Sequence, residues 1–295
     1  MSTPFAAAVL SSSVLSGTSL LYATLGELVG ERAGIVNLGL EGIMLIGAAA
    51  GFAATSFAGN PYLGIAAAAL AGMAGNLLLG YVVIGRGANQ LAAGLALLFF
   101  GFGASTLIGR PFMGAIVTGL PRLALSELGA FDLLVWLALP AALLLWCLIF
   151  RTRWGLALRA VGEDPAVAFA AGRRPGQLQY QALALGGLLG GIGGAHLSLA
   201  LAMTWDEGMT AGRGFIAIAL VIFAKWNPLW AVAGALVFGA AEALQLQLQA
   251  RGADVSPFLM TMIPYLLTLT ILVFWGWSRR SAAPAALGRN FFGVE

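Results

Sequence analysis

Residues 30–42 read Gly-Glu-Arg-Ala-Gly-Ile-Val-Asn-Leu-Gly-Leu-Glu-Gly, and long apolar runs flank them on both sides. Three ionisable residues, an Asn and four glycines therefore sit between two segments that would otherwise pass for lipid-crossing helices. Charge at membrane depth costs roughly 2.5–3.5 kcal/mol per residue on insertion scales, so it needs a partner, water or a task. Glycine lets the backbone bend or approach a neighbour closely. The stretch reads as an interrupted membrane segment, of the kind that lines a pathway.

The flanking runs are typical of the whole chain. Of 295 residues, 60% are hydrophobic and 9% charged, with a mean hydropathy of +0.92. A soluble domain carries about 25% charged residues, so a soluble enzyme is excluded and an all-α integral membrane protein is expected. Uncharged runs bounded by turn residues give nine segments, at 5–29, 35–57, 61–84, 88–109, 131–150, 178–203, 213–226, 229–249 and 257–277. Most approach the ~20 residues that cross the hydrocarbon core; the seventh is short. A single transmembrane domain, 1–295, is expected, with 110–130 as an external loop. Placing loop 151–177 in the cytoplasm puts Arg110, Arg122, Arg213 and Arg251 outside and the other eleven of the 15 basic residues inside. That is the bias topology follows. It sets the N-terminus outside and the C-terminal tail, 281–295, inside and poorly ordered. The net charge of +3 serves topology rather than a nucleic-acid surface.

Several polar residues inside apolar runs are candidates for a solute path. Gly34, Asn37 and Glu41 are spaced to share one helix face. Glu41 could form part of a polar wall or bond a neighbouring helix, and the spacing leaves both open. Glu242, Gln245 and Gln249 repeat the pattern. A second interrupted segment, 208–217, has Ala211-Gly212 where the first has Ala33-Gly34. Two such breaks in matching positions of two pseudo-repeats often meet near a substrate. Phe215 lies in the second break and could stack on a ring-shaped ligand. His196 is the only histidine and is expected to pack, since one His builds no metal site. Asn89 and Gln90 are expected at a helix end. In segment six, Gly186 to Gly194 supply overlapping small-xxx-small pairs, suited to close helix contact.

Within 151–177, Asp164 can cap a short helix with Pro165 at its first position. The helix runs through Ala168, and Gly172 can end it. A short helix on a basic loop can dock into a partner's groove. Two absences bound the chemistry. The one lysine, Lys225, precedes Trp226, so no phosphate loop of the Lys-Ser/Thr type exists in this chain. No catalytic or metal-binding cluster stands out. Any ATP-driven work must come from another subunit.

Three motifs in order, 30–48, 159–172 and 212–229, closely resemble the permease subunits of bacterial ABC importers for nucleosides and simple sugars. The wider group holds ribose and branched-chain amino-acid permeases, and the likeness spans about residues 15–277. The Glu-Arg-Ala-Gly form is similar to the smaller nucleoside-type permease. The resemblance implies a bacterial cytoplasmic-membrane subunit working by alternating access and paired with a second, homologous permease, a different chain by preference. It implies an ATPase with two fused nucleotide-binding domains, carrying ATP and Mg, and an extracytoplasmic substrate-binding lipoprotein or protein. It marks Asp164, Pro165, Ala168 and Gly172 as the ATPase-coupling loop. Arg173-Arg174 after the loop glycine departs from the family pattern. A nucleoside is the first expectation for the solute and a simple sugar the second, with Asn37, Glu41, Phe215, Glu242 and Gln245 along the path. The alternative is a stand-alone secondary transporter or channel using Glu41 or Glu242 as an ion or proton site.

Overall fold

A computed structural model describes residues 5–126, 129–250 and 283–291, with isolated positions between 262 and 273. Ten helices carry the fold among the described residues: α1 Phe5–Arg32, α2 Leu40–Ala58, α3 Pro61–Gly80, α4 Gln90–Gly109, α5 Leu133–Arg151, α6 Arg153–Glu163, α7 Pro165–Ala170, α8 Pro175–His196, α9 Arg213–Phe223 and α10 Pro228–Ala250. Seven helical stretches among the described residues are long and apolar enough to cross a membrane: Ala8–Arg32, Leu40–Ala58, Pro61–Gly85, Gln90–Phe112, Leu133–Arg151, Pro175–Leu201 and Pro228–Gln249. The expected seventh segment is α9, an 11-residue helix. The expected ninth, 257–277, lies almost wholly outside the described residues. A small antiparallel hairpin, β1 Arg122–Ser126 with β2 Gly129–Asp132, begins in the expected external loop and runs two residues past it, into the expected segment 131–150.

Backbone contact between glycines brings the helices close. A Cβ at Gly26 of α1 would lie 2.5 Å from the Gly186 carbonyl oxygen of α8. One at Gly47 of α2 would lie 2.5 Å from that of Gly191. Gly187 and Gly191 face Gly72 and Ala68 of α3, while Gly194 faces Met44 of α2. The glycine run of α8 thus meets three helices at once. Apolar burial gives little advantage when the alternative surroundings are lipid, so such close backbone packing is what holds a membrane bundle together.

The central helices α1, α2 and α8 are largely buried, whereas α4 and α5 expose rows of Leu and Phe such as Leu95, Phe99, Leu139 and Leu143. One end of the bundle gathers the basic groups. The Arg32 and Arg159 guanidinium groups flank the Phe150 ring at 5.4 and 5.2 Å. Residues 283–291, expected to be poorly ordered, cross this same end in defined contact with it. Ala286 donates its N–H to the Gly162 carbonyl, and Gly288 donates to that of Gly34.

Candidate functional site

The first interruption lies where the sequence places it, yet it is not helical. Helix α1 stops because Gly34 adopts φ +87, and Ile35 N–H turns back to the Gly30 carbonyl at 3.0 Å. Residues 33–39 therefore leave backbone groups that lipid cannot satisfy; such a segment survives only where protein supplies partners. Side chains supply them here. Gln179 donates to the Ala33 carbonyl at 3.1 Å. Gln90 accepts from Val36 N–H at 2.9 Å and donates to the Gly34 carbonyl at 3.4 Å. Glu27 accepts from Asn37 N–H at 2.9 Å.

Asn37 is buried, and its side chain is occupied. Its Oδ1 accepts from Gly39 N–H, and its Nδ2 donates to Asn76 Oδ1, both at 2.8 Å. Asn76 passes the chain on to the Leu183 carbonyl of α8. The expectation that Gly34, Asn37 and Glu41 share a helix face is thereby corrected. The break at Gly34 turns Asn37 into the network beneath α3 and α8, and only Glu41 lies on α2.

Glu41 is 2% exposed and reaches the second interruption. Its Oε1 accepts from Thr210 Oγ1 at 2.6 Å and from Gly212 N–H at 2.7 Å. Its Oε2 accepts from Gly214 N–H at 2.5 Å. Gly212 is the N-cap residue of α9 and has φ +83. A carboxylate from the first break thus caps the helix that begins at the second. The far end of α9 is held by the same segment. Trp226, just past the helix, donates Nε1–H to Glu31 Oε2 at 2.6 Å, and Arg32 Nε donates to the Trp226 carbonyl at 2.9 Å. Glu41 at the N-terminus and Arg32 at the C-terminus suit the helix dipole, while Glu31 acts there as the acceptor for the Trp226 indole. All three ionisable residues of 30–42 are therefore used on α9.

At 1.5 Å per residue α9 rises roughly 16 Å, about half the hydrocarbon core. Its end meets Glu31 and Arg32, and its first turn meets Glu41. Arg213, placed outside by the loop count, is partly buried at the start of α9. It pairs with Glu242 of α10, Nη2 to Oε2 at 3.0 Å. Phe215, 42% exposed, stands two residues on, and Gln245 is half-buried one turn along α10 from Glu242. Glu41, Phe215 and the Arg213–Glu242 pair thus surround the start of α9. Thr210, Arg213, Glu27 and Asn76 were not singled out beforehand as site residues.

The short helix in the 151–177 loop forms as expected. Asp164 Oδ1 accepts from Ala166 and Val167 N–H at 2.9 and 3.1 Å, with Pro165 at the first position. Gly172 ends it at φ +76. Ala168 faces inward, 3% exposed, while Val167 is 64% exposed. Asn89 caps α4. His196 is wholly buried opposite Asp132, Nε2 to Oδ2 at 3.4 Å. Burial pushes the Asp132 carboxyl up, but the facing imidazole and the N–H groups of Val135 and Leu134 outweigh it and hold it below its ordinary value. No group of three or more His, Cys, Asp or Glu able to hold a metal occurs among the described residues.

Among the described residues, seven apolar helices of spanning length, with two breaks joined through Glu41, define a multi-pass membrane protein. The chain belongs to the family of the branched-chain amino acid transport system permease component, whose model matches residues 9–273. It is 36% identical to a provisionally assigned glucose ABC transporter permease protein, TsgC13, of Haloferax volcanii, over 97% of this chain and 98% of that one. It is 32% identical to the guanosine ABC transporter permease protein NupQ of Bacillus subtilis, over 91% of each chain. Identity to the nucleoside ABC transporter permease protein NupC of Lactococcus lactis is also 32%, over 96% of each. No solved structure gives a significant match.

Proposed function

We propose that the chain is the membrane subunit of an ATP-driven importer, and that it moves a neutral polar solute inward by alternating access. The neutralised start of α9 carries this reading. An open half-helix N-terminus at mid-depth attracts a substrate carboxylate. Here Glu41 already fills that position, and Arg213, the nearest cation on α9, is matched by Glu242. A wall without spare charge suits a nucleoside or a sugar better than an amino acid. NupQ and NupC favour the nucleoside; TsgC13 supports a hexose as the second reading.

Phe215 would then offer a ring to a nucleobase, with Gln245 as a hydrogen-bonding amide beside it. The end bearing Arg32, Arg86 and Arg159 would face the cytoplasm, with the N-terminus outside. An ATPase with two fused nucleotide-binding domains would dock on the Asp164–Gly172 helix and carry ATP and Mg, since this chain has no phosphate loop. A second, homologous permease and an extracytoplasmic binding lipoprotein or protein would complete the assembly. The test is uptake by vesicles holding the complete complex, with labelled nucleoside, hexose and branched-chain amino acid compared. Nucleoside uptake competed by other nucleosides is expected. Hexose uptake alone would move the assignment to the second reading, and amino-acid uptake alone would overturn the neutral-solute argument.

A further inference from the structure

Residues 283–291 form a connection that the importer reading does not use. They touch the ATPase-facing loop and the first interruption at once. On the loop side, Ala285 N–H donates to Glu163 Oε2 at 3.3 Å, and Ala286 N–H donates to the Gly162 carbonyl at 2.9 Å. The Phe291 ring lies 6.1 Å from that of Phe169 on α7. On the pathway side, Gly288 N–H donates to the Gly34 carbonyl at 3.1 Å, at the residue that breaks the first segment. Ala286 is buried and packs against Gly34, 3.4 Å from where a Cβ on that glycine would stand. Between these anchors, Asn290 Nδ2 donates to the carbonyls of Gly87 and Ala88 at 2.9 and 2.7 Å, pinning the tail to the turn before α4.

Gln90 joins the two sides. Its Oε1 takes Val36 N–H from the interruption, while its Nε2 lies 3.3 Å from both the Arg289 carbonyl and Asn290 Oδ1 of the tail. One amide therefore holds the break and the tail together. Beside this junction a groove of about 740 Å³, lined in part by Arg86, Phe169, Tyr180 and Phe291, separates the turn after α3 from the start of α8. Without the tail, α7 and the interruption would be linked only through α6 and the bundle walls.

We propose that residues 284–291 are a positioning strap that transmits displacement of the α6–α7 loop to the Gly34 interruption and so to α2 and Glu41. The proposal rests on the ATP-driven reading. It places Asn290 and Phe291 among the residues that set how much transport each ATP produces, without contact to solute or nucleotide.

The complete complex, with its ATPase, second permease and binding protein, is reconstituted carrying Asn290→Ala, Phe291→Ala, or a chain ending at Ala282. Uptake and ATP hydrolysis are both normalised to assembled complex. The strap predicts that solute imported per ATP falls roughly tenfold in Asn290→Ala, the consequence of losing the two partly buried hydrogen bonds to Gly87 and Ala88, while hydrolysis continues. A synthetic peptide of residues 283–295 should restore uptake to the shortened chain. Uptake and hydrolysis that fall in the same proportion, or an unchanged ratio in both point variants, overturn the strap. If the shortened chain fails to assemble, the point variants decide. Absence of ATP-dependent uptake in the unaltered complex would instead refute the importer reading.

Discussion

Glu41 shows what the charges of a membrane segment are for. Three donors converge on one buried carboxylate, and leaving such groups unpaired costs about 1–3 kcal/mol each. Glu41→Gln should therefore lower the thermal midpoint of the purified complex as well as uptake. A double-mutant cycle with Thr210→Val should give an interaction energy of ~0.5–3 kcal/mol, the range for groups in direct contact. Strict additivity in that cycle would show that the two side chains do not meet. Asp132 makes a pH prediction. Its carboxyl is held below its ordinary value in the fold, so the stabilisation it adds is complete above about pH 4, the unfolded carboxylate range, and is lost as pH falls further. The complex should melt more readily as the medium is acidified through that range, and Asp132→Asn should flatten the dependence; a slope unchanged by the substitution would contradict the pairing with His196.

At the level of elements, the helices were legible and the breaks only half so. Apolar runs gave nine segments, because lipid demands ~20 residues of continuous helix; among the described residues seven are long enough to span, and the seventh run is the short α9. The Asp164–Gly172 helix was readable from its cap, its Pro and its glycine, all local chemistry. The face shared by Gly34, Asn37 and Glu41 was misread because spacing assumes a continuous helix, whereas Gly34 ends one. What replaces the helix there is long-range: Gln90 and Gln179 come from distant segments, and no local pattern announces them. Likewise the i, i+3, i+7 row of Glu242, Gln245 and Gln249 could not reveal that Arg213 pairs with Glu242. The glycine run of α8 was legible as a packing face, though not that it serves three helices. Gly191→Leu should wedge α8 away from α2 and α3, since overpacking a tight contact costs at least ~1–3 kcal/mol. The monodisperse fraction after detergent extraction should collapse; normal extraction would mean that the contact with Gly47 and Gly72 is not needed.

For the whole molecule, one end collects Arg32, Arg159, the short helix α7 and the tail, and the two interruptions join through Glu41. In the proposed importer, force applied at α7 would reach α9 through structure that is held at both ends. Val167, exposed beside inward-facing Ala168, is the side chain that an ATPase would meet. Val167→Asp should leave this chain folded and abolish co-purification of the ATPase; intact co-purification would place docking elsewhere. The energy source is what most directly decides the account. Vesicles containing the full complex, with the binding protein at the extracytoplasmic face, are given either ATP on the ATPase side or an imposed proton gradient. Solute uptake that requires ATP and is indifferent to collapse of the gradient is predicted. Uptake driven by the gradient, by this chain without its ATPase, would contradict it.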